Sequence, residues 1–235
     1  ELDKTERMKN EFISSVSHEL RTPLTSIKGW VETIAAIRDP ADPNFRRGVQ
    51  VISSEADRLY SMVEELLDFS RMQNGLKLDL QLLDLVAEVS DAAIMVERRV
   101  ELEGLHLAYD EPEEPMPVMA DPARLRQVFI NVLDNAVKYS AEGGRVDVRF
   151  RSTGRKKCRL TVSDEGEPIP PEEQELLFRR FYRAPGAKGQ PGFGLGLSIA
   201  ENTARRAGGR IWCESRGGMN SFCVELPKKA TESVL

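Results

Sequence analysis

Ser17-His18-Glu19-Leu20-Arg21-Thr22-Pro23-Leu24 lies inside a run in which apolar residues recur at Met8, Phe12, Val16, Leu20, Leu24, Ile27, Val31 and Ile34. Steps of three and four draw one continuous stripe, the pattern of an amphipathic helix. His18 stands two residues from both Val16 and Leu20, about 200° of helical rotation, so its imidazole points away from the apolar seam. The plain alternative, a structural histidine satisfied by its neighbours, fits poorly with Glu19, Arg21 and Thr22 around it. Thr22 lies one turn further along the same face. Pro23 has no N–H and is expected to loosen or bend the helix just past the histidine.

This first helix should run to about Arg38, where Asp39-Pro40-Ala41-Asp42-Pro43-Asn44 stops one helix and starts another. Phe45, Val49, Ile52, Ala56, Leu59, Met62, Leu66 and Phe69 then repeat the helical spacing until Asn74-Gly75 ends it. The two helices form an antiparallel hairpin. A single hairpin hides both stripes badly, so the simplest burial pairs two of them in a four-helix bundle about a twofold axis, which predicts a homodimer. The competing arrangement packs the stripes on the rest of the same chain.

Beyond Asn74-Gly75 the texture changes to strand-like runs at 76–85, 105–109, 145–151, 158–163, 210–215 and 221–226. Helical stretches are expected at 85–99, 122–139, 171–178 and 195–207. Such mixing without strict alternation points to an α+β fold, here an α/β sandwich whose mixed sheet is covered by helices. No internal repeat is visible. One loop, from Gly166 to Gly192 apart from its short helix, is long enough to invite a functional reading.

At 235 residues and 40% hydrophobic content, the chain has material for one real core plus a helical appendage. A net charge of −5 provides no global basic field, so nucleic acid is not an expected partner. Cys158, Cys213 and Cys223 are odd in number and lack metal-ligand spacing, which suits reduced core thiols. No run has the length of a membrane span and no signal peptide is present, so the chain as given reads as soluble. Its start at Glu1, with the helical pattern already running by Met8, suggests a piece cut from a longer protein.

The helix from Pro122 carries the first binding chemistry. Asp121 can cap it and Pro122 suits its first turn. Leu125, Phe129, Val132 and Ala136 form its core stripe, while Asn131, Asn135 and Lys138 gather on a separate face. Amide oxygens suit Mg²⁺ and an ammonium suits a phosphate, although the same residues also make ordinary helix surface. Gly192-Phe193-Gly194-Leu195-Gly196-Leu197 opens the last helix with bare backbone N–H groups at its positive end, which fits a triphosphate. Asp164-Glu165-Gly166 ends a strand, where a carboxylate can read an amino group such as that of adenine. Phe178, Phe181 and Tyr182 follow as lid or core aromatics.

The stretch around His18 resembles the phosphoacceptor box of bacterial sensor histidine kinases, with every position of Ser-x-Ser-His-Glu-Leu-Arg-Thr-Pro-Leu filled. The later motifs resemble the ATP-binding domain shared by histidine kinases, gyrase-type topoisomerases, heat-shock chaperone ATPases and mismatch-repair ATPases. Asn131-Val-Leu-Asp-Asn-Ala-Val-Lys-Tyr139 looks like the asparagine box, with Asn135 implied as the Mg²⁺ ligand, Asn131 in the nucleotide site, and Lys138 and Tyr139 as phosphate or lid contacts. Asp164 is implied to hold the adenine amino group, with Gly166 and Ile169 in the first glycine box. Phe178 to Arg183 resembles the phenylalanine box, placing Phe181 and Arg183 at the site, and Gly192, Gly194, Leu195, Gly196 and Leu197 resemble the second glycine box on the ATP lid. One departure stands out. Pro168 replaces the second glycine of the first box, and because proline fixes φ and removes a donor, this bears on lid hinging rather than on adenine recognition.

By that resemblance His18 takes the γ-phosphoryl group of Mg-ATP and passes it to an aspartate on the receiver domain of a response regulator. Glu19 accepts the imidazole proton, Arg21 belongs to the same catalytic box, and Thr22 helps dephosphorylate the regulator. Hydrolysing members of the superfamily carry a glutamate one turn before the Mg²⁺ asparagine; Asn131 stands there and has no general-base chemistry. A hydrolytic ATPase clamp and a non-catalytic dimeric scaffold remain as alternatives. The domains are expected at 1–75 for dimerisation and phosphoacceptance, 76–229 for ATP binding, and 230–235 as a tail. The resemblance implies the cytoplasmic portion of a membrane-anchored sensor, with anchor and sensory region upstream of this chain. His106 reads as structural.

Overall fold

The two apolar stripes become long helices, α1 (Leu2–Ala36) and α2 (Pro43–Gln73). The computed structural model to which they belong describes residues 2–39, 41–73, 78–154, 156–184 and 192–229. Between the helices the Asp39 carboxylate accepts from the Ala41 N–H at 2.9 Å and Asp42 from the Asn44 N–H at 2.8 Å, so side chains stand in for the backbone partners a turn lacks. Pro43 sits in the first turn of α2, where its missing N–H costs nothing. Gly48 leaves room for the facing helix: a Cβ there would lie 2.7 Å from Ile34 Cδ1 and 2.8 Å from Trp30 Cε3. Helix α1 runs through Pro23, which is buried and offers no N–H to the carbonyl one turn back. Asn74-Gly75, the expected stop of α2, and the tail at 230–235 lie outside the described residues.

Met62 and Phe69 are buried in the hairpin, yet Leu24, Val31, Val49, Tyr60, Val63 and Leu67 remain between 43% and 69% exposed. This apolar surface is what the sequence pattern predicts a single hairpin cannot hide. The described residues fall into two units, one within Glu1–Gly75 and Pro185–Leu195, the other within Leu76–Ala184 and Gly196–Leu235.

In the second unit β1 (Gln81–Asp84) pairs antiparallel with β3 (Pro117–Ala120). The main sheet has five strands, β2 (His106–Asp110), β4 (Arg145–Thr153), β5 (Lys157–Asp164), β6 (Arg210–Arg216) and β7 (Met219–Pro227). Their order is β2-β4-β5-β7-β6, parallel between β2 and β4 and antiparallel elsewhere. Helices α3 (Leu85–Leu102), α4 (Pro122–Tyr139) and α6 (Gly196–Arg206) supply the apolar layer on this sheet. Period-two alternation sends Cys158, Leu160 and Val162 of β5, and Phe222, Val224 and Leu226 of β7, into one core with Phe129 and Val132. Each large side chain fully buried there contributes roughly 1.5–3 kcal/mol.

Strand β3 was not legible as a strand, because Pro115 and Pro117 interrupt the alternation over four residues. Of the run expected at 76–85, residues 76–77 lie outside the described residues and β1 starts at Gln81; it ends at Asp84, which caps α3 by accepting from the Val86 N–H at 3.1 Å and so turns the chain. The 171–178 helix divides into α5 (Pro171–Gln174) and a 3₁₀ turn at Leu176–Phe178. His106 is exposed on the edge strand β2.

On the other face of the sheet the buried Glu225 carboxylate receives Lys157 Nζ at 2.8 Å, Arg159 Nη2 at 3.0 Å and Arg210 Nε at 3.1 Å. The Lys157 bond first, with the two arginines, holds its carboxyl down at about 2. Because this pKa is depressed, the associated stability is present above the unfolded carboxylate value of about 4.3 and is lost as pH falls toward 2. Glu225→Gln should cost about 2–3 kcal/mol at pH 7, since three cations lose their shared anion. A denaturant midpoint unchanged from the parent at pH 7 would contradict this.

Candidate functional site

Helix α4 positions the first half of the site. Asp121 accepts from the Arg124 N–H at 3.1 Å and Pro122 starts the helix, which sets the phase of everything after it. With Leu125, Val128, Phe129, Val132, Leu133, Ala136 and Val137 locked into the core, Asn131, Asn135 and Lys138 must project from the other side, where all three are half-buried. Asn131 Nδ2 donates to the Gly196 carbonyl at 3.1 Å, so α4 is tied to the first residue of α6. No described residue hydrogen-bonds the Asn135 carboxamide. One such neutral oxygen fits Mg²⁺, which characteristically takes few protein ligands and completes its shell with water and phosphate oxygens. Among the described residues no cluster of three or more histidine, cysteine or acidic side chains offers a competing metal cage. Lys138 Nζ lies 5.3 Å from the centre of the Tyr139 ring.

The second half lies at the C-terminal end of β5. Asp164 is 1% exposed and shares the core face of its strand with Cys158, Leu160 and Val162. Its Oδ1 accepts from the Gly166 N–H at 2.9 Å and from Asn220 Nδ2 at 3.2 Å. Burial raises its carboxyl to about 6, against the lowering effect of those two bonds. Gly166 is compulsory here: a Cβ would press on the Tyr139 carbonyl oxygen and lie 2.6 Å from Asp164 Oδ1. A bridge between Ser140 and Gly166 joins this turn to the end of α4, which brings Asp164 and the asparagine face into one unit.

Asn220 escaped the sequence reading. Its signal was present all the same, because Asn220 has the parity of Phe222, Val224 and Leu226 and so a polar side chain on a core face. It is 2% exposed and directly opposite Asp164 in the β5–β7 register. Ile169 packs against the core and its N–H points at Ser215 Oγ (3.2 Å) and Asn220 Oδ1 (3.3 Å).

Among the later residues, Phe178 belongs to the core cluster, whereas Phe181 adopts φ = 64°, in the left-handed region that a bulky residue seldom enters. Arg183 acts electrostatically on Tyr139, whose hydroxyl burial pushes above its ordinary value. Gly192 (φ = 126°) and Gly194 (φ = 69°) need glycine's freedom, and Leu195 is buried; these three fall in the first unit. Gly196 opens α6, and Leu197 packs on the core of the second unit. Residues 185–191 of the expected lid lie outside the described residues.

On α1, His18, Arg21 and Thr22 are exposed, as the helical phase requires. Thr22 Oγ1 donates to the His18 carbonyl at 3.4 Å. Glu19 is half-buried, with Arg58 of α2 at 3.8 Å, an acid–arginine pair that the spacing along α1 could not disclose.

Two family descriptions match the amino-acid sequence. The His Kinase A (phospho-acceptor) domain matches residues 8–75, and the histidine kinase-, DNA gyrase B-, and HSP90-like ATPase matches residues 120–230. The chain belongs to the histidine kinase family. The chain is 34% identical over 226 residues to the signal transduction histidine-protein kinase/phosphatase MprB of Mycobacterium avium, covering 92% of this chain and 42% of that protein. It therefore spans less than half the length of that curated relative. Among solved structures it is similar to histidine kinase ThkA in complex with response regulator protein TrrA, at 27% identity and a TM-score of 0.71, over 96% of this chain and 64% of that one. Full-length ShkA in complex with AMPPNP gives 26% identity and a TM-score of 0.67, over 94% of this chain and 46% of that one. Among the described residues no helix is long and apolar enough to cross a membrane.

Proposed function

We propose that the chain is the catalytic core of a sensor kinase that phosphorylates His18 from Mg-ATP and passes the phosphoryl group to an aspartate of a response regulator. The observation that carries this reading is an exposed His18 in an intact box, on a chain whose residue 131 is asparagine, tied to Gly196, where a water-activating acid would serve hydrolysis. In this reading Asp164 Oδ2 accepts from the adenine amino group, Lys138, Tyr139, Arg183, Gly196 and Leu197 serve the phosphate side, and Gly192, Gly194 and Leu195 belong to the lid. Ile169 and Phe181 bound the base. Asn135 holds Mg²⁺, which when bound neutralises charge on the phosphate oxygens. Glu19 takes the proton from one imidazole nitrogen as the other attacks the γ-phosphorus, the bond from that phosphorus to the β–γ bridging oxygen breaks and ADP leaves; Arg21 lies on the same face.

The domain boundaries proposed are 1–75, 76–229 and 230–235. Dimerisation through the half-exposed apolar residues of the hairpin forms a four-helix bundle. The regulator is the partner; the ThkA–TrrA complex supports a partner of that class. Relatives of more than twice this length support a reading in which sensory and anchoring segments lie outside these residues and this portion works in the cytoplasm. The test is incubation with γ-labelled ATP. Label on protein that is lost in acid and stable in base is expected, and release of all label as inorganic phosphate would sink the kinase reading in favour of a hydrolytic clamp.

Reverse traffic rests on Thr22. Its hydroxyl lies one turn from His18 on the same exposed face, and in this reading it orients the water that attacks a phosphoaspartate. Thr22→Ala should leave His18 labelling near the parent rate and slow dephosphorylation of the regulator by roughly tenfold or more, since a positioned water is lost but the nucleophile stays. The decay of purified phospho-regulator with ADP present is the measurement, and equal decay with both proteins would remove Thr22 from that role.

A further inference from the structure

Three bonds from one buried side chain converge on the turn that follows β5. The Asn220 carboxamide donates Nδ2 to Asp164 Oδ1 at 3.2 Å and to the Glu167 carbonyl at 3.0 Å, and its Oδ1 accepts from the Ile169 N–H at 3.3 Å. Glu167 and Ile169 flank Pro168, the residue that departs from the family's glycine. Proline contributes no N–H, so the turn's own backbone has one donor fewer with which to hold itself. The carboxamide of Asn220 captures the backbone groups on either side of it, as a peptide unit would.

We infer that Asn220 is a specificity-determining positioning residue, which fixes the Asp164 carboxylate as a hydrogen-bond acceptor and thereby selects adenine over guanine. The inference rests on the proposed reading of Asp164 as the adenine contact. Among the described residues the donors to this carboxylate, Asn220 Nδ2 and the Gly166 N–H, both fall on Oδ1, which leaves Oδ2 for a donor from outside. Adenine presents an exocyclic amino group at the position where guanine presents a carbonyl. A carboxylate accepts from the first and repels the second, whereas a protonated carboxyl donates to the second.

Asp164 is close to that change of role, because burial brings its carboxyl up to about 6, and donors to the charged form are what oppose burial. The groups facing it preserve this balance. From β6 the buried Cys213 thiol is pushed up to about 12 and stays neutral. Glu165 and Glu167 of the turn are exposed. Removing Asn220 removes one of the two opposing bonds and leaves the other from the Gly166 backbone.

The experiment measures the dissociation constants of the magnesium complexes of AMPPNP and GMPPNP for the full chain between pH 5 and 8. Asn220→Leu should weaken AMPPNP roughly tenfold or more at pH 7.5, weaken GMPPNP less, and move the midpoint of the AMPPNP pH profile upward. Asn220→Ser keeps one hydroxyl donor for Oδ1 and should stay nearer the parent in adenine preference and midpoint, a distinction that a purely structural side chain does not make. If circular dichroism shows that leucine prevents folding, Asn220→Ala carries the same expectation. Comparison between proteins cancels the titration of the nucleotide's own phosphates. Parent affinity, preference and midpoint in the Leu or Ala variant, alongside a weakened Asp164→Ala, would overturn the inference and leave the adenine reading standing. Undiminished AMPPNP affinity in Asp164→Ala would overturn both.

Discussion

His18→Gln should abolish acid-labile labelling from γ-labelled ATP, a loss of at least a thousandfold, while nucleotide affinity stays within about twofold of the parent. The carboxamide of glutamine has no basic nitrogen with which to attack phosphorus, so the proposed reaction has no acceptor. Binding survives because His18 belongs to the hairpin unit, whereas Asn131, Asn135, Lys138 and Asp164 belong to the sandwich unit with its own core. An acid-labile label persisting on the variant would move the acceptor elsewhere. The candidate of last resort, His106, lies exposed on an edge strand without the flanking Glu-x-Arg-Thr pattern.

Asn135→Ala should remove autophosphorylation by roughly a hundredfold or more, since the only neutral oxygen ligand proposed for the metal goes with it. Folding should be little affected, as Asn135 is half-buried and hydrogen-bonds no described residue. Mixing Asn135→Ala with His18→Gln distinguishes the route of transfer. Labelling restored in the mixture means that the nucleotide site of one protomer serves the histidine of its partner, and labelling still absent in verified heterodimers means transfer within one protomer. Full activity of Asn135→Ala alone would withdraw the metal assignment.

The long helices and the position of His18 on them were legible because an apolar stripe of period 3.6 is a local property, set by which residues lie three and four apart. The same holds for Asp121-Pro122 at the start of α4 and for the glycines before α6. Asn131 and Asn135 could be placed on one face from spacing alone. What spacing could not supply was any partner distant in the chain. Strand β3 exists because β1 offers it a ladder, not because its four residues favour extension. Glu19 and Arg58 meet because two helices fold back on each other, and their 39-residue separation carries no local signal. Asp164 and Asn220 stand opposite each other only once β5 and β7 pair in one register, which a shift of a single residue would destroy. By itself, then, the sequence determined the long helices, the exposed position of His18 and the nucleotide motifs, each written in near neighbours. Tertiary structure alone decided which buried carboxylate stays charged and which asparagine holds it, because desolvation and hydrogen bonding are properties of groups brought together across the fold.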